Sequence, residues 1–303
     1  MSSAIKRMLA AVATVAVILT GTVVAQAPGQ GRWTKFAPFP EPSQEIGGTS
    51  VNGKLYIIGG LPFAPGQSPA PKGIVWEYDG ATDKWAKKKN MPAPAHHVAV
   101  TSYRGKLYVF GGGTQVEPGG SNWVPTNKAW EYDPAADTWR ELAPMSTARG
   151  AAVAVEVGGK MYVIGGASVH PGQKIVGLNA TVPHRALGTN EEYDPATDSW
   201  GLLKARMPLA RSGTAYGTFG GKIYVAGGEF LDNDIVGTFR DLDAYDPAAN
   251  RWTSFPPMPL ARHGMVGGII TNRFHVVSGH LQSGAVFGTP MDSDANDGFE
   301  LDR

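Results

Sequence analysis

The chain has no cysteine. Disulfides are therefore excluded, and the fold must hold by burial of a core and by closure of its own sheets. There is also no excess of either charge: 27 lysines and arginines face 26 acids, for a formal charge of +1. Without a basic surplus to neutralise phosphates, nucleic acid is not an expected partner. After residue 24 no apolar run is long enough to cross a bilayer.

What is present begins with a leader. Lys6 and Arg7 precede an apolar, uncharged stretch from Met8 to Val24, and small residues follow at Ala25 and Ala27. This reads as a cleaved secretory signal over 1–25, with 26–31 as a linker. The rival reading is an uncleaved anchor, but the run is short and interrupted by Gly21. No cysteine follows for lipid attachment. Removal of Lys6 and Arg7 takes the formal charge from +1 to −1. The expected location is secreted or periplasmic, with no membrane span left after cleavage.

The remaining chain, 32–303, repeats one pattern five times. A bulky residue is followed twenty positions later by a small pair: Phe39 to Gly59-Gly60, Met91 to Gly111-Gly112, Met145 to Gly165-Gly166, Met207 to Gly227-Gly228, and Met258 to Ser278-Gly279. The repeats start 52, 54, 62 and 51 residues apart. Trp33, Trp85, Trp139, Trp200 and Trp252 stand just before the bulky residues. Four of them lie seven residues after a Tyr-Asp pair, at Tyr78, Tyr132, Tyr193 and Tyr245. A period of about fifty residues with this furniture predicts a β-propeller.

Within each repeat, short β-branched and aromatic runs alternate with turn residues such as Asn52-Gly53 and Gly158-Gly159. No helix pattern follows the glycine pairs, so a phosphate cradle is excluded. Close packing between blades explains the glycines, and inter-blade burial explains the tyrosines and tryptophans. Glu77, Glu131, Glu192 and Glu300 precede or adjoin the tyrosine position, which suggests a recurrent structural bond. The segment Phe299-Glu300-Leu301-Asp302 reads as a degenerate Tyr-Asp strand, with Leu301 in the tyrosine's place. The strand missing after it is found at Arg32-Trp33-Thr34-Lys35. The expectation is an all-β, five-bladed ring closed by its N- and C-terminal strands; a truncated six-bladed ring is the alternative.

The pattern of apolar strand, Gly-Gly, Tyr-Asp-Pro, Trp and Met-Pro-x-x-Arg resembles the kelch repeat of the galactose oxidase/kelch superfamily, in an exported, bacterial-type setting. Residues Tyr132 to Arg149 and Tyr245 to Arg262 match over their whole length. The resemblance implies a propeller whose first strands line a central channel. It leaves activity open, because such propellers serve as enzymes, sugar binders and protein platforms.

The loop leading into each first strand aligns without gaps. Ser43, Ala95, Arg149, Arg211 and Arg262 come first; then Gln44, His96, Gly150, Ser212 and His263; then Glu45, His97, Ala151, Gly213 and Gly264. The loops between second and third strands lie on the same face and vary most in length, which marks that face as functional. The candidate ligand-binding residues are Arg149, Arg211, Arg262, His96, His263, Glu45, Glu229 and Trp123. Arginine forks suit a carboxylate or phosphate, and Trp123 suits a sugar ring or a partner side chain. The arginines have a second reading, packing within the blades against backbone carbonyls. Asp292 to Gly298 has a calcium-loop look, but its glycine is one place late and no distal glutamate follows, so it reads as a turn-rich loop. No metal or cofactor is expected.

Three functions fit. The first is an exported module that binds a protein or glycan through its variable face, which needs no catalytic set. The second is implied by resemblance to kelch mutarotases of the sialic-acid type, with an arginine as carboxylate clamp and Glu45, Glu229, His96 or His263 as acid–base. The third, a copper radical oxidase, fails because its cross-linked cysteine is missing.

Overall fold

Short runs such as Lys106–Phe110 (Lys-Leu-Tyr-Val-Phe) carry apolar or aromatic residues at nearly every place, as strands buried on both faces do. The computed structural model describes residues 35–62, 70–115, 123–171, 184–231, 235–283 and 291–301. Among these there is no helix, and Ala37–Arg303 forms one compact unit.

Five antiparallel sheets are the five blades of a propeller. Blade one is Gly47–Val51, Lys54–Ile58, Val75–Asp79 and Lys84–Lys87. Blade two is Ala99–Tyr103, Lys106–Phe110, Ala129–Asp133 and Thr138–Leu142. Blade three is Val153–Val157, Lys160–Ile164, Asn190–Asp194 and Ser199–Trp200. Blade four is Ala215–Phe219, Lys222–Ala226, Leu242–Asp246 and Arg251–Phe255. Blade five has three described strands, Val266–Ile270, Arg273–Val277 and Asn296–Glu300. Each runs from an inner to an outer strand in chain order. Residues 32–34, expected to close the ring, lie outside the described residues, as do the leader and linker.

The repeat residues hold neighbouring blades together. The N–H of each second doublet glycine crosses to the next leading loop: Gly60 to Ala95 O, Gly112 to Arg149 O, Gly166 to Arg211 O and Gly228 to Arg262 O. Gly111 has φ of 62°, and a Cβ there would drive into the Arg149 carbonyl. The bulky methionine of the next repeat packs its methyl into the same place, 3.1 Å from that imagined Cβ at Met145. Glycine is therefore required by backbone approach as well as by φ.

Between blades, the middle strand of one blade packs on its predecessor. Leu107, Met161, Ile223 and Phe274 are all fully buried there, and together with their neighbours they make the apolar core. The corresponding Leu55 of blade one is 39% exposed. On the opposite wall, Val266 of blade five is 72% exposed, where its counterparts Ala99, Val153 and Ala215 are buried. Among the described residues, the apolar faces of blades five and one are thus left open to each other's side of the ring.

The register of blade five corrects one sequence expectation. Phe299 pairs with Phe274 as Tyr132 pairs with Leu107, so Phe299, not Leu301, holds the tyrosine position. Glu300 then stands where the other blades carry the aspartate of Tyr-Asp. Asn296 to Gly298 are strand residues, which takes them out of any ion-binding loop.

Candidate functional site at the channel mouth

The third residues of the leading loops are linked in a chain of four backbone bonds running from blade one to blade five. His97 N–H donates to Glu45 O, Ala151 to His97 O, Gly213 to Ala151 O, and Gly264 to Gly213 O, at 2.8 to 3.1 Å. All five residues have φ between 53° and 65°. Glycine takes that conformation freely, but Glu45, His97 and Ala151 hold it at a cost of roughly 1 kcal/mol each. Left-handed backbone carrying large polar side chains is a mark of a functional rim.

Below the rim lies a channel cavity of about 760 Å³, lined by residues of all five inner strands. Its wall is small and neutral, with Ala152, Thr214 and Gly267 typical. Among the described residues, Glu45 and Glu156 are its carboxylates, and no lysine or arginine lines it.

Two carboxylate–imidazole pairs stand at this mouth. His97 Nε2 lies 2.9 Å from Glu45 Oε2. His263 Nε2 lies 3.5 Å from Glu229 Oε2. The His97 charge, helped by its hydrogen bond and by His96 and His263, holds the Glu45 carboxyl down to about 2. Burial works against charge on His97, but Glu45, seconded by Glu229, outweighs it and raises His97 above the usual imidazole range. Each pair thus feels the other, and Glu45 stays ionised under all ordinary conditions.

His96 sits behind His97. Their Nδ1 atoms are 2.5 Å apart, so one donates and the other accepts. His96 is fully buried, and its Nε2 has no hydrogen-bond partner. Burial, then the neighbouring His97 charge, pushes it down to about 3, so it stays neutral. Trp123 backs both rings, edge-to-face with His96 at 4.7 Å and stacked with His97 at 5.6 Å. It reaches them from the hairpin Gly113–Gln115/Trp123–Pro125, one of three such two-stranded hairpins on the variable face among the described residues. The glycine-rich residues 119–122 ahead of it lie outside the described residues.

The structure thus brings together Glu45, Glu229, His263, His96 and Trp123, with His96 and Trp123 as supports behind the rim. It does not bring the arginines there. Arg149 bonds Gly165 O, Thr189 O and the Glu191 carboxylate; Arg211 bonds Leu209 O, Val225 O and Asp243; Arg262 bonds Ser278 O, Val276 O and Asp297. All three are 0–1% exposed. Their forks are spent inside the blades, and the expected placement at the mouth is corrected. The sequence held a signal for this. Where the arginine is replaced by Ser43 or Ala95, the partner acid is replaced by Trp76 or Trp130 in the same register. His97 was visible in the alignment but not chosen, because nothing in the sequence shows that it, and not His96, faces the channel.

The recurrent glutamates are structural. Glu77 accepts from Tyr56 and Lys54, Glu131 from Tyr108, Lys106 and Arg140, and Glu192 from Tyr162. Comparison with known proteins now settles the family. The KLHDC2/KLHL20/DRC7 Kelch-repeats domain matches residues 28–228, and the Kelch motif matches 210–259. The chain belongs to the kelch-repeat family. Among kelch proteins, Kelch-like protein terF of Aspergillus terreus is 26% identical over 88% of this chain and 68% of its own length. Kelch-like protein 25 of Xenopus tropicalis is 26% identical over 81% of this chain. Beta-scruin of Limulus polyphemus is 32% identical over 62%. The chain spans only 38% and 19% of the last two. The solved structure of YjhT superposes with a TM-score of 0.71 at 17% identity, covering 89% of this chain and 85% of that one, and supports the kelch propeller fold. Kelch propellers typically serve as protein-interaction modules.

Proposed function

We propose that this kelch propeller is an exported binding module that takes a protein or glycan at its channel mouth. The observation that carries it is the convergence of Glu45, His97, Glu229 and His263 on one rim, above a cavity walled mostly by small residues and on the face whose loops vary. Carboxylate oxygens and imidazole N–H groups offer alternating acceptors and donors to hydroxyls or to a partner's polar side chains. With the arginines buried, the rim favours neutral or cationic groups over an anionic sugar. Export rests on Lys6, Arg7 and the apolar stretch that follows them. N-terminal sequencing of the extracellular or periplasmic protein tests it: a start at residue 26 or 28 supports export, and an intact Met1 in the cytoplasm opposes it.

A second reading is favoured by the two carboxylate–imidazole pairs, which are the equipment for proton transfer to and from a sugar hemiacetal. A glycan array with the purified protein, run beside a mutarotation assay, separates the readings. Sugar binding without faster ring opening supports the module. Acceleration supports the enzyme. Neither result assigns the mouth to a protein partner.

A further inference from the structure

In a repeated fold, a residue that occurs in one blade alone answers no need that the five blades share. The inner strands carry two such residues, and both line the channel. At the second place of the strand stand Gly48, Val100, Ala154 and Gly267, but blade four has Tyr216. At the fourth place stand Ser50, Ser102, Thr218 and Ile269, but blade three has Glu156.

The protein satisfies neither of them fully. The Tyr216 ring packs against the cluster that holds Val153 and Val155, at the loosest of the four inner-strand junctions. Its hydroxyl opens on the cavity and has no hydrogen-bond partner among the described residues; burial alone pushes it up. Phenylalanine would fill the same space, and an enclosed hydroxyl left unpaired costs roughly 1–3 kcal/mol. Glu156 accepts the Gly159 N–H through Oε1, while its Oε2 has no partner and no ion pair among the described residues. Glu45 is used in the same way at the rim: Oε2 faces His97, and Oε1 has no partner among the described residues.

These groups lie at successive depths. Glu45 belongs to the rim, Tyr216 comes three residues below its own rim residue Gly213, and Glu156 comes five below Ala151. At about 3.3 Å per residue, Tyr216 and Glu156 stand roughly 10 and 16 Å down the channel. An open carboxylate oxygen thus marks each end, with small side chains between and one hydroxyl part-way. No lysine or arginine among the described residues competes for the carboxylates from the wall. We infer that the channel is a binding site for a linear aliphatic polyamine lying along its axis, with one terminal ammonium at Glu45, the other at Glu156, and an inner N–H donated to the Tyr216 hydroxyl. This site lies below the rim and is separate from the one proposed at the mouth.

Titration calorimetry of the full chain at physiological salt tests it with three probes. Spermidine has the length and the inner nitrogen, 1,8-diaminooctane has the length alone, and 1,4-diaminobutane has neither. One spermidine should bind per chain, at least about tenfold more tightly than 1,4-diaminobutane. Glu156→Gln keeps an acceptor for the Gly159 N–H and should weaken spermidine at least about tenfold. Glu141→Gln, at an exposed carboxylate on the outer strand of blade two, should leave it unchanged. Tyr216→Phe should narrow the preference for spermidine over 1,8-diaminooctane without lowering the thermal midpoint, because no bond within the protein is lost. Absence of saturable binding, equal affinity for the short diamine, equal affinity in Glu156→Gln, or an unchanged preference in Tyr216→Phe would each overturn the site. Glycan binding without amine binding would overturn it too, and would leave the reading of the mouth standing.

Discussion

Nε2 of His97 in the loop leading to blade two lies 2.9 Å from Oε2 of Glu45 in the loop leading to blade one. The contact crosses a blade boundary and repeats, in side chains, the backbone bond from His97 N–H to Glu45 O. A double link of this kind fixes the rim where the cavity opens. Glu45→Gln removes the charge but keeps the shape. The His97 titration, followed by imidazole NMR, should then move down, because burial opposes its charge and the Glu45 charge no longer offsets it. An unmoved titration would mean that the pair is not formed in solution.

His96 predicts an acid slope in stability. Its folded-state value of about 3 lies below the unfolded value near 6.5. The unfolded chain therefore binds the proton first, and stability falls as pH drops below about 6.5, continuing toward pH 3. His96→Gln removes that titration. Denaturant midpoints measured between pH 7 and pH 4 should fall less steeply in the variant than in the wild type, and parallel profiles would contradict the buried, neutral imidazole.

The buried arginines belong to stability. Arg149→Ala leaves the Glu191 carboxyl, at 3% side-chain exposure, without its guanidinium partner and with the Ser146 N–H still donating to it, and should cost roughly 3–5 kcal/mol by chemical denaturation. Adding Glu191→Trp copies the pairing of Ala95 with Trp130, and should recover roughly half of the loss or more. A double variant as unstable as the single would show that the two positions are not exchangeable between blades.

Two glycines with nearly the same φ separate strain from crowding. Gly158→Ala, at φ of 63° with nothing near its Cβ, should cost only the left-handed penalty of roughly 1–2 kcal/mol. Gly111→Ala, at 62°, adds a collision with the Arg149 carbonyl, and should cost at least about 1 kcal/mol more. Equal losses would deny the blade contact its part.

The glycine pairs, tryptophans and Tyr-Asp steps made the five blades legible, because each fills a contact that recurs at four of the junctions. The mouth was half legible. Alignment of the leading loops named Glu45, His96 and His263, but facing direction depends on left-handed backbone that spacing alone does not reveal. The arginines misled because a guanidinium inside a blade and one at a channel look alike until the acid on the third strand is placed beside it. Phe299 was misread because a one-strand register needs its partner strand.

The central claim is that the channel mouth is the binding face. Glycan-array binding by the wild type should fall at least about tenfold in Glu45→Gln/His97→Ala, which removes one of the rim's two carboxylate–imidazole pairs. It should persist in Lys106→Ala/Lys160→Ala at the first hairpin turns on the other face. Binding that survives the mouth variant and is lost with the two lysines would contradict the account.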